Sequence, residues 1–301
     1  MIEALALVGK QWFARIVSLC VVGPICAGIA SGVVAPDGSR HTTFLTSHSM
    51  GSGIVALAMV LGLTMVMGIV IGRGVDRREG FLNIAFVLGW VAWTSGRMGE
   101  MYRFSADSGT LIKVAIETLI IALAMLIAMM LMTKPDKAGS EPDDEVSRFD
   151  CSFIRASLFN TRGIASMFAA LASGLVISYL LGQSDLPGQS TGVGFFVGIG
   201  AGLIGTLVST SMGKGSDQVA ATPFAPIMIG VMLCGVLGPV IGMIQPGSGG
   251  LLALIISGHL PGYLIVSPIA WSMGALLGVP IGHSWVEHSA QQVTNAQAKP
   301  A

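Results

Sequence analysis

The chain has 301 residues, of which 52% are apolar and only 11% are charged, and its formal net charge is zero. Soluble domains are about one quarter charged, so this composition excludes an ordinary soluble protein and indicates a membrane protein. Apolar runs of close to twenty residues recur along the chain, and a helix of that length crosses about 30 Å of hydrocarbon. Because the runs are continuous rather than alternating, they exclude a transmembrane β-barrel.

The first half of the chain, residues 1–133, predicts four membrane spans behind a short lead-in helix. Residues 1–13 place apolar and aromatic side chains at helical spacing beside Lys10 and Arg15, which is typical of a helix at headgroup level. A Gly-Pro pair at residues 23–24 is expected to break the first span. The four spans are predicted at residues 16–35, 52–71, 81–96 and 110–133. Residues 36–50, with His41 and His48, are predicted to be a short polar loop.

A cytoplasmic linker, residues 134–162, separates the two halves. It opens on a proline-rich and acidic run, KPDKAGSEPDDE, which predicts a flexible segment. It closes on an amphipathic stretch, residues 148–161, which is expected to lie on the membrane surface.

The second half, residues 163–301, predicts four more spans. Three of them lie at residues 164–181, 193–212 and 223–244. The next apolar stretch, residues 250–282, is too long for one ordinary helix. Pro261 lacks a backbone N–H and crowds the carbonyl four residues earlier, so residues 259–262 are predicted to be non-helical. The stretch is then either one broken helix or a re-entrant segment followed by the last span.

The two halves carry a matching pattern of glycines. Residues 51–76 and residues 192–217 place four glycines and a final aspartate at equal positions under one constant offset, and Arg73 falls on Lys214. A repeated pattern of this kind indicates an internal duplication. The predicted fold class is therefore an all-α polytopic membrane protein of about eight transmembrane helices, arranged as two parallel four-helix repeats.

The distribution of positive charge predicts the orientation of the chain. With eight spans and both termini inside, twelve Lys and Arg residues lie on the inner side and four on the outer side. The inner residues are Lys10, Arg15, Arg73, Arg77, Arg78, Lys134, Lys137, Arg148, Arg155, Arg162, Lys214 and Lys299, and the outer ones are Arg40, Arg97, Arg103 and Lys113. This excess agrees with the positive-inside rule. The expected location is a bacterial inner membrane, with both termini in the cytoplasm.

Glycine rows on two predicted spans indicate close helix packing. Gly194, Gly198 and Gly202 are spaced four apart on the sixth span, and Gly274 and Gly278 have the same spacing on the last. Small residues at this spacing let two helices in lipid approach closely. The Gly-x-Gly pairs are therefore interpreted as packing surfaces and not as a nucleotide-binding loop.

Charged residues gather at the outer end of the third and fourth spans. They are Arg97, Glu100, Arg103, Asp107, Lys113 and Glu117. Two interpretations are open for this cluster. The first is a vestibule for an ion or a substrate, and the second is contact with lipid headgroups, with Glu100 as the i,i+3 partner of the arginines.

Glu117 is the leading candidate for an ion or substrate path. It lies inside the fourth span, where an ionised carboxylate is costly unless it is paired, hydrated or protonated. Lys113, one turn earlier on the same face, is the expected partner. Either this pair faces a wet cavity, or it locks the helix against Asn83, Trp90 or Trp93 of the third span.

Histidines supply the remaining candidates. His259 lies beside the expected helix break, where freed backbone groups line a cavity or are buried in protein, and a purely structural turn is the alternative. His283 and Glu287 share a helical face, but a metal site needs at least one more convergent ligand. No metal and no other cofactor is predicted.

The sequence leaves two functional hypotheses open. It contains no Walker loop, GxSxG, HExxH or CxxC motif, so an enzyme is the weakest hypothesis. The first hypothesis is a secondary transporter or channel for a small solute or ion, and the alternative is a structural or assembly subunit of a larger membrane complex. The expected partners are the lipid bilayer and either further copies of the chain or other subunits, with no nucleic acid. A polar-lined cavity between the halves would favour the first hypothesis, and solid packing the second.

Overall fold

The structure of the protein, a computed structural model, describes residues 2–105, 107–132, 158–184, 186, 188–212, 224–244 and 247–297. Helices make up most of this part of the chain, and it holds no β-strand. The first group of helices comprises α1 (Ile2–Val17), α2 (Gly23–Ser31), α3 (Met50–Gly74), α4 (Arg77–Thr94), α5 (Met98–Phe104) and α6 (Ser108–Leu131). The second group comprises α7 (Thr161–Leu181), α8 (Gln189–Ser211), α9 (Phe224–Ile244), α10 (Gly247–Ile256), α11 (Gly262–Ile265) and α12 (Pro268–Gln297). The linker and its amphipathic stretch lie almost entirely outside the described residues.

Six helical stretches of the described chain are long and apolar enough to cross a membrane, so this is an integral membrane protein. They are Ala6–Ser31, Met50–Gly74, Ser108–Leu131, Thr161–Leu181, Gln189–Ser211 and Phe224–Ile244. The third and eighth predicted spans are α4 and α12, which are not among the six. Polar residues account for this, because α4 begins with Arg77, Arg78 and Glu79, and α12 carries His283 and Glu287.

The first span differs from its prediction because the lead-in and the span form one continuous rod. A π-helical turn, Ser18–Val22, joins α1 to α2, and the Gly-Pro pair does not interrupt the helix. Pro24 has no N–H to bond the carbonyl four residues earlier. The π-helical turn directly before it absorbs this irregularity, since the N–H of Gly23 bonds the carbonyl of Ser18, five residues back.

The two groups of helices share one pattern of neighbours. We take the rod of α1 and α2 as one helix, so the four long helices are the rod, α3, α4 and α6 in the first group and α7, α8, α9 and α12 in the second. In each group the first long helix contacts the second and the third, and the second contacts the third and the fourth. Between the groups, the third helix of each packs on the fourth of the other (α4 on α12, and α9 on α6), and α6 touches α12. The short helices α5, α10 and α11 lie between the third and fourth helices and pack on one another. We call the end of the long helices where these three short helices lie the capped end.

The helix break occurs where the proline predicts it. Helix α10 ends at Ile256, and residues 259–261 are not helical. Gly262 already belongs to α11, so the break ends one residue earlier than expected. The stretch is therefore two short helices followed by the long α12.

Helices α8 and α12 touch through backbone atoms. The glycines at this contact are Gly194, Gly198 and Gly202 on α8 and Gly274, Gly278 and Gly282 on α12. A Cβ atom on Gly198 would overlap the carbonyl oxygen of Gly274, and one on Gly202 would lie 2.6 Å from the carbonyl oxygen of Val279. Only residues without a side chain allow this approach.

The centre of the interface between the groups is closely packed. Trp271 of α12 is 1% exposed and lies against Gly235 of α9. The carbonyl of Gly235 has no helical donor, because Pro239, four residues later, has no N–H. The hydroxyl of Thr118 on α6 lies 3.1 Å from this carbonyl and 2.9 Å from the carbonyl of Val114 in its own helix, so its one proton is shared between them. A side chain of the first group thus contacts a carbonyl that lacks its usual helical donor in the second group.

Candidate functional site

An open groove of about 510 Å³ lies beside this packed centre, between the two groups of helices. Helix α4 forms one wall, and α8 and α12 form the other. The residues that line it are Leu19, Ala85, Phe86, Gly89, Trp90, Trp93, Thr191, Gly192, Phe195, Met273 and Leu277. Along α4 the groove extends from Ala85 to Trp93, about 12 Å at 1.5 Å per residue. Its lining is almost wholly apolar.

Two glycines leave the space that becomes the groove. A Cβ atom on Gly192 would find no atom within 4 Å, and one on Gly89 would find only Met273, at 3.7 Å. Unlike the glycines between α8 and α12, these two face open space and not a neighbouring backbone. The groove is therefore hollow because both walls lack a side chain at these positions.

The capped end of the groove holds a buried hydroxyl. Thr191, in the first turn of α8, is 7% exposed, and its hydroxyl has no hydrogen-bond partner among the described residues. The ring of Trp93 lies over Gly188 directly before this turn, where a Cβ would be 3.0 Å from the indole. A buried hydroxyl without a partner is costly, so this end of the groove is suited to bind a polar atom.

Glu117 does not face a cavity and does not pair with Lys113. Its carboxylate is buried, and one oxygen accepts the backbone N–H groups of Phe44 and Leu45 at 2.7 and 2.8 Å. Lys113 is exposed and forms no ion pair with Glu117. The structure therefore separates the two residues that the sequence brings together.

The segment that Glu117 binds was expected to be a polar loop, and it is instead folded into the protein. All seven residues from 41 to 47 are buried. The hydroxyls of Thr43 and Thr46 approach the sulfur of Met101 on α5, and the N–H of Gly96 donates to the carbonyl of His41 at 2.6 Å. A hydropathy pattern could not reveal this, because the polar groups are satisfied by distant parts of the chain.

Two buried polar side chains near this segment lack partners. Both ring nitrogens of His41 and the hydroxyl of Tyr102 have none among the described residues. Burial, with the positive charge of Arg40 beside it, lowers the pKa of His41 to about 4, so the ring is neutral at pH 7. Burial also raises the pKa of Tyr102.

Asn83 belongs to a polar contact at the other end of the helices. Its amide donates to the carbonyl of Glu79 at 2.6 Å, and its own oxygen is buried without a partner. The guanidinium of Arg15 binds both carboxylate oxygens of Glu79. The sequence does not indicate the pairing of Arg15 with Glu79, because Arg77 and Arg78 lie closer to Glu79 along the chain.

No protein-family model, curated protein or solved structure matches this chain. Its function therefore has to follow from the geometry of the residues themselves.

The remaining candidates lie apart from one another. Arg97 and Glu100 form an ion pair of 3.1 Å that is half-buried, and His259 is exposed beside the helix break. His283 joins Thr206 at 3.0 Å and Glu287 at 3.1 Å. In the described part of the chain no three metal-ligating residues converge. Among the sites described above, the groove has open space for a molecule.

Proposed function

We propose that this protein binds the hydrocarbon chain of a lipid molecule in the groove between its two groups of helices. The observation that carries the proposal is the apolar lining of a groove of about 510 Å³ that opens beside the packed interface. Pockets of this volume hold small molecules, and the chemistry of the lining selects the ligand. Aromatic and aliphatic walls fit a hydrocarbon.

The size of the groove favours a single chain over a partner helix. A transmembrane helix is a cylinder about 10 Å wide and about 30 Å long, on the order of 2,000 Å³. The groove has about a quarter of that volume, and it extends along α4 for about 12 Å. A flexible chain can fill such a hollow, whereas a helix could only cover its mouth.

The same geometry gives little support to a pathway for an ion or a small polar solute. The groove offers almost no polar lining, and Trp271 with the bond from Thr118 to Gly235 closes the centre of the interface. Glu117 is already bound by two backbone N–H groups. The alternative to lipid binding is that the protein is a structural subunit of a membrane complex. A helix of a partner subunit would then cover the groove.

Filling the groove tests the proposal. We expect the wild-type protein, purified in mild detergent, to retain one lipid molecule, detected by native mass spectrometry. Gly192→Phe places a ring in open space inside the groove and should lower this occupancy at least tenfold. Gly62→Phe is the matched control, since its Cβ also meets open space but lies on the exposed face of α3.

Two outcomes would overturn it. Wild-type protein that carries no lipid, or Gly192→Phe protein that keeps it, would exclude the groove as the binding site. A polypeptide that copurifies with the wild type and is lost in Gly192→Phe would instead favour the assembly subunit.

We interpret the two groups of helices on either side of the groove as a duplication of one four-helix unit. The protein then has eight spans, with both termini in the cytoplasm. The shared neighbour pattern and the reciprocal contacts of α4 with α12 and α9 with α6 support this arrangement. In intact cells we expect a membrane-impermeant maleimide to label His48→Cys. A reporter fused after Lys137 should be active only in the cytoplasm. A reporter at Lys137 that is active outside would rule this topology out.

A further inference from the structure

We infer that the groove selects an amphipathic ligand whose polar end carries a carbonyl or carboxylate oxygen, bound at the hydroxyl of Thr191 in the first turn of α8. This rests on the proposed function and names the class of lipid. A pure hydrocarbon gains little by leaving the bilayer for an equally apolar groove, because both offer similar contacts. A selective site therefore needs a polar contact. The lining has three side-chain donors, the indole N–H groups of Trp90 and Trp93 and the hydroxyl of Thr191, and Thr191 is the one that is buried without a partner.

The position of Thr191 explains why its hydroxyl is free. Threonines inside a helix usually donate to the carbonyl four residues earlier, as Thr206 does to Gly202 at 2.6 Å and Thr94 to Trp90 at 3.0 Å. Thr191 is the third residue of α8, and the carbonyl three residues before it, that of Gly188, accepts the N–H of Gly192 at 2.9 Å. Its hydroxyl is buried without a partner, and it keeps its proton for a ligand.

The backbone around Thr191 adds a positive electrostatic potential. The capping residue of α8 is Gly188, at φ 82°, which has no side chain to bond the first N–H groups. The amino end of a 23-residue helix also carries the positive end of the helix dipole. The N–H groups of Gln189 and Gly192 are already bonded, to Leu186 at 3.0 Å and Gly188 at 2.9 Å. The positive end of the dipole and the hydroxyl of Thr191 together favour an acceptor atom, as in a carboxylate or an ester carbonyl.

The two parts of the ligand fit the two ends of the groove. The polar end lies at the capped end, level with Trp93, whose ring rests on the residue before α8. Indole rings of this kind are enriched at the boundary between hydrocarbon and water. The chain then runs along α4 towards Ala85 and the middle of the helices. This is the orientation of a lipid in one leaflet.

Brominated probes test the inference on the full-length protein in detergent. Bromine quenches nearby indoles, and Trp90 and Trp93 both line the groove; Trp12 and Trp285, which are exposed elsewhere, are replaced by phenylalanine. Three probes of equal chain length are compared: a dibrominated fatty acid, a phospholipid with the same chain, and a dibrominated alkane. Thr191→Val keeps the shape of the side chain and removes the hydroxyl. Thr210→Val is the control, because that hydroxyl donates to Leu207 within α8.

Thr191→Val should weaken binding of the oxygen-bearing probes roughly two- to twelvefold, the value of one hydrogen bond, and leave the alkane unchanged. Tighter binding of the fatty acid identifies a free carboxylate, and tighter binding of the phospholipid identifies an ester carbonyl; either supports the inference. Equal effects of Thr191→Val on all three probes, or no effect on any, would overturn it while the groove still binds. If every probe quenches the tryptophans of the Gly192→Phe protein as strongly as those of the wild type, the proposed function itself has failed.

Discussion

Gly198→Leu should abolish the folded protein. A Cβ on Gly198 overlaps the carbonyl oxygen of Gly274 and lies 3.0 Å from the Cα of Gly278, so both obstacles are backbone atoms of α12. Overpacking a core costs about 1–3 kcal/mol when side chains can move aside. Backbone cannot, so α8 and α12 must separate, and we expect the loss to reach at least the upper end of that range. The measurement is the yield of monodisperse protein, with its thermal midpoint in detergent.

Two variants serve as controls for this result. Gly62→Leu adds the same side chain to a glycine of α3 that faces open space, and it should be tolerated. Leu203→Ala removes a half-buried side chain of α8 and should cost less than Gly198→Leu. Equal tolerance of Gly198→Leu and Leu203→Ala would show that the α8–α12 contact is not essential to the fold.

Glu117→Ala should release the buried segment 41–47. The substitution leaves the N–H groups of Phe44 and Leu45 buried without an acceptor. Each orphaned group costs about 1–3 kcal/mol, so the segment loses about 2–6 kcal/mol of local stability. Release of the segment is measured by maleimide labelling of Ser47→Cys in a protein without the native cysteines, because residue 47 is buried in the wild type. We expect maleimide labelling at this position to accelerate at least tenfold.

Glu117→Gln separates the hydrogen bonds from the charge. One oxygen of Glu117 accepts both N–H groups, and the amide oxygen of glutamine can take its place, so labelling should change much less than in Glu117→Ala. Glu100→Ala is the control, since both side chains of its ion pair with Arg97 are 39% exposed and surface pairs contribute about 0–1 kcal/mol. A segment that stays protected in Glu117→Ala would mean that packing on α5 holds it without the carboxylate.

Glu117 has one property that the sequence predicts and partners that it does not. The sequence identified an acid within a span as costly, and the structure places it among buried residues. The sequence also offered Lys113 as the neutralising partner, because a pair four residues apart is visible along the chain. The actual partners are backbone N–H groups 72 and 73 residues away. Such partners carry no side-chain signature, so no pattern of residue types reveals them.

Local chemistry determined what the sequence could predict by itself. Hydropathy over about twenty residues depends only on neighbours along the chain, and it established a membrane protein and placed α3, α6, α7, α8 and α9 within a few residues. The break before α11 follows from the missing N–H of Pro261. Contacts between distant segments were decided only by the tertiary structure. Arg15 binds Glu79 across 64 residues, and residues 41–47 are buried although they are polar. The groove exists because Gly89 and Gly192, on different helices, leave their sides of one interface empty, and neither glycine differs in sequence from those that close the contact between α8 and α12.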